Sequence, residues 1–216
     1  MSVNAAADWL AERDPLIAAL LARHGYPRLS RESFDPGRSG AAPEAGAPDA
    51  DTFAFLVETV VYQQLSGNSA RAIFSRLSTA FELIPKVFDA ADSADLLAAG
   101  LSRSKATTLK RLARAVMEGS IDLSALNSMP DAEVRSVVSA LPGFGPWSAS
   151  MVLIFHLHRL DIWPVEDLAF KRSACRLLNL GTGAERDEVE ASGSRFEPYR
   201  TVAAWLFWAD DAFTSG

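Results

Sequence analysis

Apolar side chains recur every three to four residues along most of the chain. With runs of alternating β-branched residues absent, this predicts an all-α fold. Leu16, Ile17, Leu20 and Leu21 form one stripe behind Asp14-Pro15, a fresh helix start inside a helical stretch from Asn4 to about Arg23. Thr52 to Leu65 reads as a strongly apolar helix, and Asn68 is the expected cap of the next, Ser69 to Phe81. Pro85 starts another. Ser93 is expected to cap Ala94 to Ala99, and Ser102 or Ser104 a long helix to Met117 that Gly119 closes. Further helices are expected from Pro130, as first helical residue, to Ala140, from Ser148 to Leu157, from Glu166-Asp167 to about Leu178, and from Pro198 to about Asp210. Periodicity fails from Gly25 to Asp51, where the Pro, Gly and Ala run 36–48 reads as a flexible loop with no packing capacity.

Two interruptions stand out. Leu141-Pro142-Gly143-Phe144-Gly145-Pro146 cannot continue a helix; its two glycines permit positive φ and leave backbone N–H groups uncovered by side chains. The apolar helix behind the turn places those groups at a helix N-terminus, which suits an anion. Ile162-Trp163-Pro164-Val165 then breaks that helix and sets Asp167 near the start of the next. A carboxylate there has two readings. It caps its own helix, as most Asp residues at such positions do, or it is a fixed catalytic acid.

Composition narrows the class. At 216 residues with 49% apolar content, the chain is one compact protein in one or two lobes. A net charge of −6 argues against a generally sticky nucleic-acid binder. It leaves room for a local basic face, because Arg103, Lys105, Lys110, Arg111 and Arg114 lie in a stretch that holds no acid. The single cysteine, Cys175, excludes an internal disulfide and a cysteine-ligated iron–sulfur cluster. His156 and His158, two apart on one helix, face away from each other, and His24 is remote in sequence, so no zinc site is expected. No signal peptide or membrane span is read, and a cytoplasmic protein is expected.

The segment LPGFGPW followed by WPVEDLAFKR resembles the helix-hairpin-helix DNA glycosylases, specifically the 3-methyladenine DNA glycosylase II group. Val60 to Ser66 (VYQQLS after Val60), Gly100 to Lys105 and Pro198 to Trp205 extend the similarity in family order. The resemblance implies two helical lobes with a DNA-binding cleft between them. Residues 53–165 would form one lobe, containing the hairpin, while 1–52 and 166–216 would pack together as the other. It implies a monofunctional enzyme that flips alkylated purines of the 3-methyladenine or 7-methylguanine type out of double-stranded DNA and hydrolyses the N-glycosidic bond. The alternatives are a glycosylase for another damaged base, deaminated or bulky alkyl, and a non-catalytic DNA-binding protein that keeps the hairpin.

Residue by residue, the resemblance makes Asp167 catalytic, with Glu166 as fallback. Trp147, Trp208, Tyr62 and Met151 would line the base pocket; the plainer reading of both tryptophans is core. Gln64 and Leu65 would wedge into the gap left by the flipped base. Gly143, Gly145, Ser148, Arg103 and Lys105 would bind DNA phosphates. The backbone carbonyls of Ser139, Leu141 and Phe144 would hold a structural Na+ or K+. Trp147 stands where the bifunctional, strand-nicking relatives carry a catalytic lysine, so no Schiff base is expected there. Lys171 reads as a solvated or phosphate-facing charge. A monomer acting on damaged DNA away from any membrane is the expected state.

Overall fold

The computed structural model describes residues 1–29, 48–65, 67–181 and 183–215, and within them the chain forms twelve α-helices and no strand. The expected flexible loop at 36–48 lies outside the described residues except for Pro48, which opens a helix. Among the described residues no helix is long and apolar enough to cross a membrane. The helices are α1 (Val3–Ala11), α2 (Pro15–His24), α3 (Pro48–Tyr62), α4 (Gly67–Ala80), α5 (Pro85–Ala90) and α6 (Ser93–Ala98). They continue with α7 (Arg103–Met117), α8 (Asp131–Ala140), α9 (Pro146–Met151), α10 (Leu168–Leu177), α11 (Arg186–Ser192) and α12 (Arg200–Ser215). The chain divides into two compact units. One combines Met1–Ser30 with Leu153–Gly216, and the other is Arg31–Val152.

The first unit is built on the apolar faces of α1, α2, α10 and α12. Leu10, Ile17 and Leu20 pack into one buried cluster with Phe170, Ala174, Val202, Leu206 and Phe207. Asp14 starts α2 as expected, accepting the N–H groups of Leu16 at 2.9 Å and Ile17 at 3.4 Å, with Pro15 in the first turn. Trp163 belongs to this cluster. Its ring meets Phe170 edge-on at 4.6 Å, and its indole N–H donates to the Val189 carbonyl at 2.8 Å. Gly193 lies flat against that ring; a Cβ there would come within 2.8 Å of it. Because Trp163 and Val165 are core of this unit, the division between units falls at Val152–Leu153, earlier than the 165–166 boundary expected from sequence.

In the second unit α7 is central. Its Leu109 and Leu112 are fully buried, and Phe53 of α3 meets Phe88 of α5 edge-on at 5.5 Å. Basic side chains close helix C-termini here: Arg76 donates to the Ala99 carbonyl after α6 at 3.1 Å, and Lys110 to the Ala91 carbonyl after α5.

Several boundaries differ from expectation for local reasons. Asp92 rather than Ser93 caps α6, because its carboxylate reaches the Ala94 N–H at 2.9 Å. Pro130 is the residue before α8, in extended geometry, and α4 starts at Gly67, so Asn68 is inside it. The helix after the hairpin changes at Val152 into a π-turn that ends at His156; Arg159 N–H closes back on the Leu153 carbonyl at 2.8 Å with His158 at φ 53°. Asp210 is the middle of α12 rather than its end.

The reason is its partners. Asp210 is fully buried and receives Arg23 at 2.9 Å, His24 Nε2 at 3.0 Å and Arg176 at 2.7 Å, which binds α2 and α10 to α12. Burial pushes its carboxyl up, but the hydrogen bonds from His24, Arg176 and Arg23 outweigh that and hold it below the ordinary 3.8. A carboxylate so depressed contributes stability that is complete above pH 3.8 and is lost as pH falls through its lower folded value. Asp210→Asn is therefore expected to cost about 2–4 kcal/mol at neutral pH. In urea unfolding followed across pH, the gap between variant and wild type should narrow once the pH drops below 3.8.

Candidate functional site

Asp167 is the N-cap of α10. Asp167 Oδ1 accepts the Phe170 N–H at 2.7 Å, and the same oxygen accepts the indole Nε1–H of Trp208 at 2.9 Å. The chain reaches this geometry because Pro164 stops the preceding segment and its carbonyl takes the Asp167 N–H at 2.9 Å. Asp167 is then left extended, at φ −85° and ψ 122°, ahead of the helix. Trp208, on α12, lies against Phe155 at 5.7 Å and meets Phe170 edge-on at 5.9 Å between ring centroids. A half-buried carboxylate is thus fixed at the edge of an aromatic cluster. Leu168, immediately after it, is 74% exposed. Glu166, the fallback acid, is ion-paired with Arg186 of α11 at 2.6 Å. The Lys171 side chain is half-buried.

The second unit carries the hairpin. α8 and α9 flank the turn, and Arg135 of α8 donates to the Ser150 hydroxyl of α9 at 3.0 Å, pinning one helix to the other. Phe144 N–H closes the turn on the Leu141 carbonyl at 3.0 Å. Gly143 adopts φ 83° and lies so close to α7 that a Cβ would come within 2.4 Å of Thr108 Oγ1; both facts demand glycine. The N–H groups of Gly143 and Gly145 meet no acceptor among the described residues, and the start of α9 has no side-chain cap. Trp147 is half-buried on α9, Tyr62 half-buried at the end of α3, and Met151 only 2% exposed. Among the described residues no cluster of His, Cys, Asp or Glu could hold a metal ion.

Between α3 and α4, Gln64 adopts φ 57° and Leu65 is 39% exposed, so the two form an outward turn. Beside them Gln63, which sequence reasoning passed over, reaches the hairpin: its Nε2 donates to the Gly143 carbonyl at 3.0 Å and to Ser148 Oγ at 3.3 Å. Two residues expected at the phosphates have side chains with partners inside the protein. The Ser148 side chain is 1% exposed and takes the Gln63 amide, so it faces inward. Lys105 closes the C-terminus of α3, donating to the carbonyls of Val61 and Gln63, both at 2.8 Å. Burial pulls its ammonium below the ordinary 10.5. Arg103, in contrast, is exposed at the start of α7.

Residues 57–198 match the HhH-GPD superfamily of base excision DNA repair proteins. The chain belongs to this superfamily. It is 26% identical to a DNA-3-methyladenine glycosylase of Saccharomyces cerevisiae over 242 aligned residues, covering 95% of this chain and 78% of the relative. It is 28% identical to an alkylbase DNA glycosidase-like protein of Schizosaccharomyces pombe, over 74% of this chain and 78% of that one. Among solved structures, a 3-methyladenine DNA glycosylase of Schizosaccharomyces pombe in complex with abasic DNA superimposes with a TM-score of 0.75 at 25% identity, over 94% of each chain.

For this HhH-GPD protein Arg103 and Lys105 of α7 should separate in experiment. Lys105→Met leaves two helix-terminal carbonyls without their donor and should lower stability by about 1–3 kcal/mol. The slope of log DNA affinity against log salt should stay as it is. Arg103→Ala should leave stability intact and reduce that slope by about 0.9, the value of one phosphate contact.

Proposed function

We propose that the protein is a monofunctional DNA glycosylase that removes alkylated purines of the 3-methyladenine and 7-methylguanine type. The observation that carries this reading is the Asp167 carboxylate, fixed by the Phe170 N–H and the Trp208 indole at the edge of an aromatic cluster. Breaking an N-glycosidic bond builds positive charge on the deoxyribose, and an immobile carboxylate stabilises that charge or orients the attacking water. Water adds its oxygen to the anomeric carbon and yields its proton, while the C–N bond electrons leave with the base. An alkylated purine is cationic before cleavage and departs neutral, so its leaving needs no general acid. Before cleavage its charge favours aromatic faces by about 0.5–2 kcal/mol each, the service expected of Trp208.

The remaining roles follow the same reading. The Gly143 and Gly145 N–H groups grip a phosphate as hydrogen-bond donors, a monovalent cation resting on the carbonyls of Ser139, Leu141 and Phe144 would add charge there, and Gln64 with Leu65 fill the space of the flipped nucleotide. Trp147 in place of a lysine leaves no amine to form a Schiff base, so the product is an intact abasic strand. The names of the relatives at 26% and 28% identity support the alkylated-base class. Chromatography of bases released from methylated duplex DNA tests the reading. The wild type should liberate methylated purines. Asp167→Asn keeps an oxygen for both hydrogen bonds but removes the charge; it should slow release at least a hundredfold and bind abasic DNA within about threefold of wild type. Tight binding of methylated DNA without any release by the wild type overturns the enzymatic reading, and borohydride trapping of a covalent complex overturns the monofunctional one.

A further inference from the structure

Gln63 has no part in the chemistry, yet it lies between the two DNA-facing features of the second unit. Its side-chain amide donates to the Gly143 carbonyl at 3.0 Å and to Ser148 Oγ at 3.3 Å, that is, to the tip of the hairpin and to the first turn of α9. Its own carbonyl accepts Lys105 Nζ at 2.8 Å, and the same ammonium holds the Val61 carbonyl at 2.8 Å. One residue on, Gln64 sits in the left-handed region at φ 57°, a conformation that a non-glycine residue keeps only when its surroundings impose it. Beyond it Leu65 is held out with 39% of its surface exposed, its N–H closing on the Tyr62 carbonyl at 3.3 Å.

We propose that Gln63 is a positioning residue that locks the Gln64–Leu65 turn to the hairpin, so that gripping the backbone phosphate fixes where the turn enters the duplex. This rests on the reading of Gln64 and Leu65 as the inserted residues. A duplex held by the Gly143 and Gly145 N–H groups lies at a set distance from the Gly143 carbonyl, and Gln63 carries that reference over to the neighbouring turn. Lys105 supplies the second anchor from α7. Without the strut the hairpin still finds its phosphate, but the turn samples several positions and base extrusion is populated less.

The probe is a duplex carrying 2-aminopurine opposite the insertion site, together with single-turnover base release from methylated DNA at saturating protein. Gln63→Met keeps length and volume and removes both donors. It should reduce the 2-aminopurine signal and the single-turnover rate about tenfold, the scale of one or two neutral hydrogen bonds. The salt slope of duplex affinity should stay at its wild-type value, and the loss of stability should stay within about 1–3 kcal/mol, so that both assays read fully folded protein. Ser148→Ala, which removes one of the two acceptors, should show the same pattern at two- to threefold. Leu65→Ala distinguishes the layers of the argument. If Gln63 acts through the turn, Gln63→Met added to Leu65→Ala makes the double variant no slower than Leu65→Ala alone. Independent, multiplying effects overturn the positioning role while leaving the inserted-turn reading in place. An inert Leu65→Ala overturns the inserted-turn reading and this assignment with it. Wild-type rate and signal in Gln63→Met overturn the assignment alone.

Discussion

One oxygen of Asp167 accepts two hydrogen bonds, from the Phe170 N–H and from the Trp208 indole, and the placement of this carboxylate depends on that pairing. Either bond alone would leave the carboxylate a rotor. The backbone donor fixes it to the start of α10, and the indole fixes its plane to α12, so rotation about χ1 breaks both bonds at once. A carboxylate immobilised before substrate arrives does not have to reorganise as charge develops on the sugar, which is where electrostatic stabilisation gains its size. Glu166, on the neighbouring position, is ion-paired with Arg186 instead.

The second unit shows how an acidic chain can still hold DNA. With a net charge of −6, a broad basic surface is not available, and the densest basic stretch turns out to be partly internal. Lys105 and Lys110 close the ends of α3 and α5, and Arg114 is paired with Asp89 at 3.1 Å. Outward on α7 are Arg103, Arg111 and the Asp89-paired Arg114. Cations facing outward on α7 are therefore few, and the Gly143 and Gly145 N–H groups of the hairpin, which meet no acceptor among the described residues, suit an anion. Hydrogen-bond donors on a rigid turn discriminate position better than mobile lysines do, and a protein that searches for rare lesions gains from weak, well-registered contacts.

The parts legible in the sequence were those whose physics is local. Gly143 announces itself because only glycine tolerates φ 83°, and Asp167 because a helix that follows a proline-broken segment needs a cap. The all-α class followed from periodicity alone. What escaped were bonds between residues far apart in the chain. Gln63 and Gly143 are 80 positions apart, Lys105 and Val61 44, and Arg23 and Asp210 187. A lysine in a basic run reads as solvent-facing until the fold brings a helix C-terminus to it. Asp210 in the middle of α12 was not legible for the same reason, since only three donors converging from α2 and α10 make its burial tolerable.

Capping and catalysis were posed as rival readings of Asp167, but the geometry makes them compatible. A purely structural cap needs only the N–H groups of its own first turn, and nothing in helix capping calls for an indole from another helix. The indole is there because α12 is held in register on α10 two residues further along, where Asp210 takes Arg176 from α10 and Arg23 and His24 from α2. Trp208 and Asp210 thus share one helix, the first bound to the Asp167 carboxylate and the second to the cations of α2 and α10. Moving that lock by a fraction of an ångström would shift the indole relative to Asp167 Oδ1, because a helix transmits displacement over two residues almost unchanged. The buried Asp210 carboxylate with its three donors is therefore the support on which the alignment of Trp208 with Asp167 rests, and its retention in a core that apolar residues could fill is intelligible on that ground.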